Sequence, residues 1–152
     1  MPPVFREDPY ASYNFQVIVT NVSNDPVAVK GAFTEASGLE LEIPPIEYRT
    51  GAEEITVRKI PGLKKFTNIT LKRGITGDVD FWKWIVEALN GKVRRTAGSI
   101  VLLDENRNEA MRWNFSRGWP TKYTGPTLSA TKNEIAMETL VLAVEQLEID
   151  IT

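Results

Sequence analysis

Two pairs of carboxylates stand close enough in the chain to raise acid–base chemistry: Glu53-Glu54 and Asp78 with Asp80. A hydrolase of that kind needs two carboxyls facing one substrate at a fixed separation. Adjacent residues of an extended segment point to opposite faces, so Glu53 and Glu54 make a poor pair. Asp78 and Asp80 fall where the start of a helix favours acidic side chains. Gly74-Ile75-Thr76-Gly77 precedes that helix as a phosphate loop does, yet lacks the closing Gly-Lys-Ser/Thr. Arg112, Trp113, Phe115 and Arg117 mix cations with aromatics, as an oligonucleotide-binding barrel does, but strand alternation puts Trp113 and Phe115 on one face and Arg112 on the other. The chain has no cysteine and no histidine, which removes Cys and Cys/His zinc sites, thiol nucleophiles, serine–histidine triads and imidazole-held haem. The sequence therefore assigns no catalytic residue, no metal ligand and no cofactor-binding residue, and no enzyme is expected.

The chain is 152 residues long with 18 basic and 20 acidic residues and a net charge of -2. That length fits one domain, and that balance gives no strong drive toward nucleic acid or an anionic membrane. The start, Met1 to Pro9, has neither the basic end nor the apolar core of a signal peptide, and no window is apolar for long enough to span a bilayer. A soluble protein made in the cytoplasm is expected.

The elements that would position any functional side chain are mostly strands. Tyr13 to Val22 alternates, with Tyr13, Phe15, Val17 and Val19 on one face. Gly31 to Ile43 changes character at Ser37-Gly38, where a bulge or bend is expected, with Leu39, Leu41 and Ile43 then opposed to Glu40 and Glu42. Lys65 to Arg73 sets Thr67, Ile69 and Leu71 against Asn68, Thr70 and Lys72. Val79 to Asn90 reads as the one helix, with Trp82, Ile85, Val86 and Leu89 as its buried stripe, Phe81 and Trp84 off it, and Gly91 as the C-terminal glycine. Ser99–Asp104 and Ala110–Ser116 form a hairpin, with Met111, Trp113 and Phe115 inward; Gly118 to Pro126 is a loop; Glu134 to Ile149 is one long final strand. About seven strands and one helix make a mainly β fold, an antiparallel β-sandwich or small barrel with one flanking α-helix.

The segment from Pro44-Pro45 to Pro61-Gly62 stands apart. It is punctuated at both ends and too long for a hairpin turn, and a loop of that length in a small domain is usually functional. Glu53-Glu54 precede Arg58-Lys59, so two copies carry complementary charges.

The order of several short motifs resembles the tail tube protein family of contractile phage tails and contractile injection systems, typified by the T4-like phage tube protein. The matching residues are Asp8-Pro9-Tyr10 with Tyr13-Asn14-Phe15, Gly31 to Leu39, Tyr48-Arg49 with Gly51, Arg58 to Leu63, Leu71 to Gly74, Phe81 to Trp84, and Pro120 to Tyr123 with Asn133 to Ala136. The resemblance implies one tail-tube-like domain over residues 1–152, with an N-terminal arm (1–12) and a long inter-ring loop (about 44–63). It implies a structural protein whose hexameric rings stack into a rigid hollow tube that sheath contraction drives through a target envelope. The implied inter-ring contacts are Tyr48, Arg49, Glu53, Glu54, Arg58, Lys59, Ile60, Pro61, Gly62 and Leu63. The implied lumen-facing residues are Glu40, Glu42, Thr70 and Lys72. The implied partners are further copies, the sheath protein, baseplate or spike and tube-terminating proteins, and cargo protein or DNA in the lumen. The implied location is a phage tail or a released or cell-associated phage tail-like particle. The alternatives are a tube-initiator subunit joining baseplate to tube, and a monomeric ligand- or oligonucleotide-binding barrel.

Overall fold

Alternation along Ala110–Ser116 does not stop where the Gly-Trp-Pro sequence suggests a loop. In the computed structural model, which describes residues 6–19, 29–31, 33–49, 51, 57–75 and 79–151, a single strand runs from Glu109 to Thr124. Gly118 bends this strand without ending it. Arg117 takes a φ of 52°, and a Cβ on Gly118 would come within 2.9 Å of the Phe115 ring. Beyond Gly118 the strand has, among the described residues, a ladder partner on one side only, so Pro120, which lacks an N–H, is tolerated there.

In chain order the described strands are β1 (Phe15–Val19), β2 (Val29–Gly31), β3 (Glu35–Ser37), β4 (Leu41–Glu42), β5 (Pro45–Tyr48), β6 (Arg58–Pro61), β7 (Lys65–Phe66) and β8 (Ile69–Gly74). The helix α1 (Val79–Leu89) follows, then β9 (Thr96–Leu103), β10 (Glu109–Thr124), β11 (Met137–Ala143) and β12 (Gln146–Asp150). All pairings are antiparallel. The first half of β10 joins a sheet of order β2-β1-β9-β10-β12, and its second half joins one of order β10-β11-β8-β3. One core lies between them. Val17, Val19, Ile100, Phe115 and Leu147 come from the first sheet, and Ile69, Leu71, Leu140 and Leu142 from the second. The expected sandwich is present.

The final strand is interrupted where the sequence shows none. β11 and β12 are separate strands, divided at Val144-Glu145, and 134–136 lie outside both. The register nonetheless carries straight across the break: Ser116 faces Gln146, and three residues further along each strand Trp119 faces Ala143. At the break Glu145 N–H donates to Ser116 O, and its carboxylate pairs with Arg117 at 2.6 Å. The interruption is the partner of the bend in β10, so both strands turn together from one sheet into the other.

The helix forms where expected, but a different face is buried. Phe81, Trp84 and Ile85 are buried, spaced i, i+3, i+4, whereas Val86 is 52% and Leu89 75% exposed. Two apolar stripes share Ile85, and the sequence does not say which one meets the sheets. Phe81 decides it by stacking edge-on against both Phe33 and Trp84. Gly91, at φ 90°, ends the helix: Lys92 N–H reaches Glu87 O and Gly91 N–H reaches Ala88 O.

At the other end of the chain, Arg6 grips Glu105 in the β9–β10 turn with two hydrogen bonds of 2.8 Å, and the Tyr10 ring lies beneath its guanidinium. The hydrogen bond from Arg6 is the chief reason the Glu105 carboxyl is lowered to about 2.

The buried helix face makes a sharp prediction. Phe81→Ala should cost about 3–5 kcal/mol, while Val86→Ala should stay within about 0.5 kcal/mol of the parent, read as urea midpoints at constant slope. Equal losses would restore the Trp82–Val86–Leu89 stripe as the buried one.

Candidate functional site

The segment that the sequence sets apart is a ribbon built by extending two strands of the second sheet. In β3 and β8 Ser37 faces Thr70; four residues further along each strand, in β4 and β7, Leu41 faces Phe66. The register holds although the chain bends at Gly38. There φ is +84°, a Cβ would sit 2.1 Å from Asn68 O, and the Thr67 hydroxyl donates to Gly38 O at 2.9 Å. Only glycine fits that approach. The return strand then gains one residue. Glu42 faces Lys65 while Pro45 faces Pro61, and Gly62 N–H donates to Pro44 O to close the gap. β5 and β6 continue outward, with Ile46 opposite Ile60, Glu47 opposite Lys59 and Tyr48 opposite Arg58. All eight of their residues are exposed.

In an antiparallel ladder facing residues share a face and the face alternates. One side of the outer ribbon therefore carries Ile46, Ile60, Tyr48 and Arg58, and the other carries Pro45, Pro61, Glu47 and Lys59. From Leu41 to Tyr48 the ribbon covers on the order of 20 Å at about 3.3 Å per residue. Leu41 and Ile43, expected on one face with Leu39, are 44% and 56% exposed, since beyond Gly38 no second layer of described residues covers them.

At the end of β8 away from the ribbon, the second sheet carries a buried ionic cluster. Arg73 on β8 and Glu138 on β11 face each other across the ladder, 3% and 2% exposed. Arg73 Nε donates to Glu138 Oε1 at 2.7 Å. Trp82 Nε1–H donates to Oε2 at 3.0 Å from α1, and the Tyr123 hydroxyl donates to the same oxygen at 2.7 Å from β10. The Arg73 guanidinium also lies over Phe81 at 4.1 Å and over Phe33, just ahead of β3, at 5.6 Å. Burial alone pushes the Glu138 carboxyl up, but the hydrogen bonds from Tyr123, Trp82 and Arg73 outweigh it, so it titrates below the usual carboxylate range. Burial, and then the bond to Glu138, push the Tyr123 phenol up to about 12.

Of the residues expected at an inter-ring contact, Tyr48, Arg49, Arg58, Lys59, Ile60, Pro61, Gly62 and Leu63 all lie on the outer ribbon or at its base, and Glu53 and Glu54 lie outside the described residues. The four residues expected to line a lumen do not share one sheet. Thr70 and Lys72 are on the outward face of the second sheet, in rows with Ser37, Val141 and Lys122 and with Glu35, Thr139 and Thr124; Lys72 pairs with Glu35 at 3.2 Å. Glu40 and Glu42 lie past Gly38, off that sheet. The first sheet has a polar outward face of its own, on which Arg112 donates to Ser99 Oγ, and Ser99 Oγ donates to Asn114 Oδ1 at 2.6 Å. Among the described residues no group of three or more His, Cys, Asp or Glu could hold a metal ion, and no helix is long and apolar enough to cross a membrane.

The family model for the T4-like virus tail tube protein gp19 matches residues 11–148. The chain belongs to that tail tube family. It is similar to a chain in the cryo-EM structure of an extracellular contractile injection system, the PVC sheath-tube complex in the extended state, at 31% identity over 96% of this chain and 94% of that one, with a TM-score of 0.81. A chain in the anti-feeding prophage tube terminating cap matches at 30% identity over 98% and 95%, with a TM-score of 0.81. Hcp1 from Flavobacterium johnsoniae shares the fold at 12% identity over 92% and 97%, with a TM-score of 0.60. Among curated proteins no sequence matches. The role of this tube protein is structural.

The ionic cluster is the feature that sequence reading missed, although two strands signal it. Ile69, Leu71 and Arg73 follow one inward phase and Glu138, Leu140 and Leu142 another, so each strand ends its apolar face on a charge, of opposite sign in the two strands. Because Glu138 is lowered in the fold, its contribution is whole above the unfolded value of about 4.3 and disappears as pH falls below it. Tyr123→Phe should cost about 1–2 kcal/mol at neutral pH, in the lower part of the range for a bond to a charged group because the ring is partly exposed. That gap should narrow as denaturation is repeated at progressively lower pH, as the medium passes through the depressed value at which the folded carboxyl takes up its proton. A gap independent of pH would show that the Tyr123 bond does not depend on the Glu138 charge.

Proposed function

We propose that this protein is the main inner-tube subunit of a contractile tail or injection system, with no catalytic activity and no cofactor. Six copies close a ring, rings stack into a hollow conduit, and contraction of a surrounding sheath drives that conduit through a target envelope. The observation that carries the reading is the similarity, along nearly the whole chain, to a chain of a sheath-tube complex. The partners of the tube are then the sheath protein, baseplate or spike proteins at one end and a terminator at the other, in keeping with the sheath-tube, baseplate and terminator assemblies that contain similar chains. Cargo protein or DNA occupies the lumen, and the particle is assembled in the cytoplasm of the producing cell.

Two features of the fold support assembly. The first sheet ends on β2 at one side and β12 at the other, and edge strands joined to neighbouring copies are protected from uncontrolled pairing. The outward face of the second sheet, with Thr70, Lys72, Lys122 and Thr139, is a polar wall suited to a water-filled bore. The outer ribbon, Tyr48 to Leu63, reaches the adjacent ring.

A tube initiator is the second reading, favoured by the TM-score of 0.88 to a chain in the anti-feeding prophage baseplate structure, at 22% identity. Negative-stain electron microscopy of the tag-free protein over a concentration series, with sedimentation alongside, separates the two. Stacked rings or hollow tubes are expected. Rings that never stack would move the assignment to the initiator, and a monomer at every concentration would sink the tube assignment.

A further inference from the structure

Helix α1 carries two apolar stripes, and only one of them meets the sheets. Phe81, Trp84 and Ile85 are buried, whereas Val86 and Leu89 stand in water. A turn of about 100°, one residue's step around a helix, would bring Trp82, Ile85, Val86 and Leu89 inward instead. Ile85 and one tryptophan are buried in either setting. Burying a valine or a leucine is worth about as much as burying a phenylalanine, so exchanging Phe81 for Val86 and Leu89 sacrifices no apolar burial. Hydrophobicity by itself therefore does not choose the observed setting.

The buried charges do distinguish the two. Trp82 Nε1–H donates to Glu138 Oε2 at 3.0 Å, and the next residue back, Phe81, lies under the Arg73 guanidinium at 4.1 Å. Consecutive helix residues thus touch the two halves of one ion pair. That pair is itself fixed, by the bond of 2.7 Å from Arg73 Nε to Glu138 Oε1 and by the Tyr123 hydroxyl on Oε2. The edge-on stack of Phe33 and Phe81 is seated on the same guanidinium, which lies 5.6 Å from the Phe33 ring. Turning the helix would lift Trp82 off the carboxylate and Phe81 off the guanidinium in one movement. A carboxylate that is 2% exposed cannot exchange a lost donor for bulk water, so the turn leaves a charge underbonded.

We propose that the Arg73–Glu138 pair is a selector: it holds α1 in one of the two rotational settings that the apolar residues of the helix permit, and so keeps Val86 and Leu89 on the outside. The contribution of the pair is the setting it imposes and not net stability, since a buried ion pair replaced by well-packed apolar residues of similar volume often leaves stability unchanged or raised.

The chain holds four tryptophans, and fluorine NMR of the full-length protein made with fluorotryptophan gives one signal for each when the helix has a single setting. Arg73→Met/Glu138→Leu removes both charges at similar volume. Its urea midpoint should equal or exceed that of the parent. Its Trp82 and Trp84 signals should split or broaden while those of Trp113 and Trp119 stay single, as the second setting, below about 1% in the parent, rises by about tenfold to a hundredfold, the scale of one lost hydrogen bond to a charge. Adding Val86→Ser/Leu89→Ser removes the competing stripe and should restore one signal per tryptophan. In the parent background the same two serines should change neither the spectrum nor the midpoint. Trp82→Phe keeps the ion pair and removes only the donor on the helix; there the Trp84 signal should split and collapse again with the two serines. Unsplit signals in both the charge-free variant and Trp82→Phe would overturn the proposal. So would splitting that the serines do not cure, which means general loosening, and so would a charge-free variant that cannot fold, which makes the pair a source of stability.

Discussion

The ion pair between Arg73 and Glu138 is the constraint on which the described parts of this molecule converge. It joins neighbouring strands β8 and β11, accepts Trp82 from the helix and Tyr123 from the far half of β10, and places Arg73 against Phe33 at the root of β3. An ion pair in so buried a place is weak evidence for stability, since removing two charges from water costs several kcal/mol per ion. What it supplies is position. Four elements that apolar packing would allow to slide are fixed by donors aimed at one carboxylate. The helix rotation follows from it: Trp82 must present its indole N–H to Glu138 while Phe81 lies against Arg73, and this leaves Val86 and Leu89 outside.

The ribbon inherits that fixed position. Its two strands are the continuation of β3 and β8, in unbroken register as far as Phe66, and the bend at Gly38 redirects the pair without uncoupling it. The same two strands thus serve two solvents. Before the bend Ile69 and Leu71 are buried; after it Leu41, Ile46 and Ile60 stand in water.

The strand set was legible in the sequence wherever alternation was strict, as in Phe15–Val19 and Ile69–Gly74, and the bend at Gly38 was legible because glycine there interrupts an alternating run. The end of β10 was not. Gly118-Trp119-Pro120 carries turn composition, but glycine makes room for the Phe115 ring and proline sits where one side of the strand has no partner among the described residues. The exposure of Leu41 and Ile43 was not legible either. Alternation reports that one face differs from the other, not that a second layer exists to cover it. The charge content of the 44–63 segment does not reveal which charges face each other; the register places Lys59 opposite Glu47.

A conduit that is pushed from one end must carry load through backbone, since side-chain contacts shear more easily than hydrogen-bonded ladders deform. In this chain the path is continuous. The outer ribbon runs into β8 and β3, β8 is laddered to β11, and β11 with β12 follows β10 from one sheet into the other without losing register. The bend in that ladder is the place most exposed to shear, and it is where Arg117 pairs with Glu145 and the Gly118 backbone closes on Phe115. The ionic cluster lies beside that path and holds the helix against it, so that β8 and β11 cannot part without breaking a bond to a buried charge.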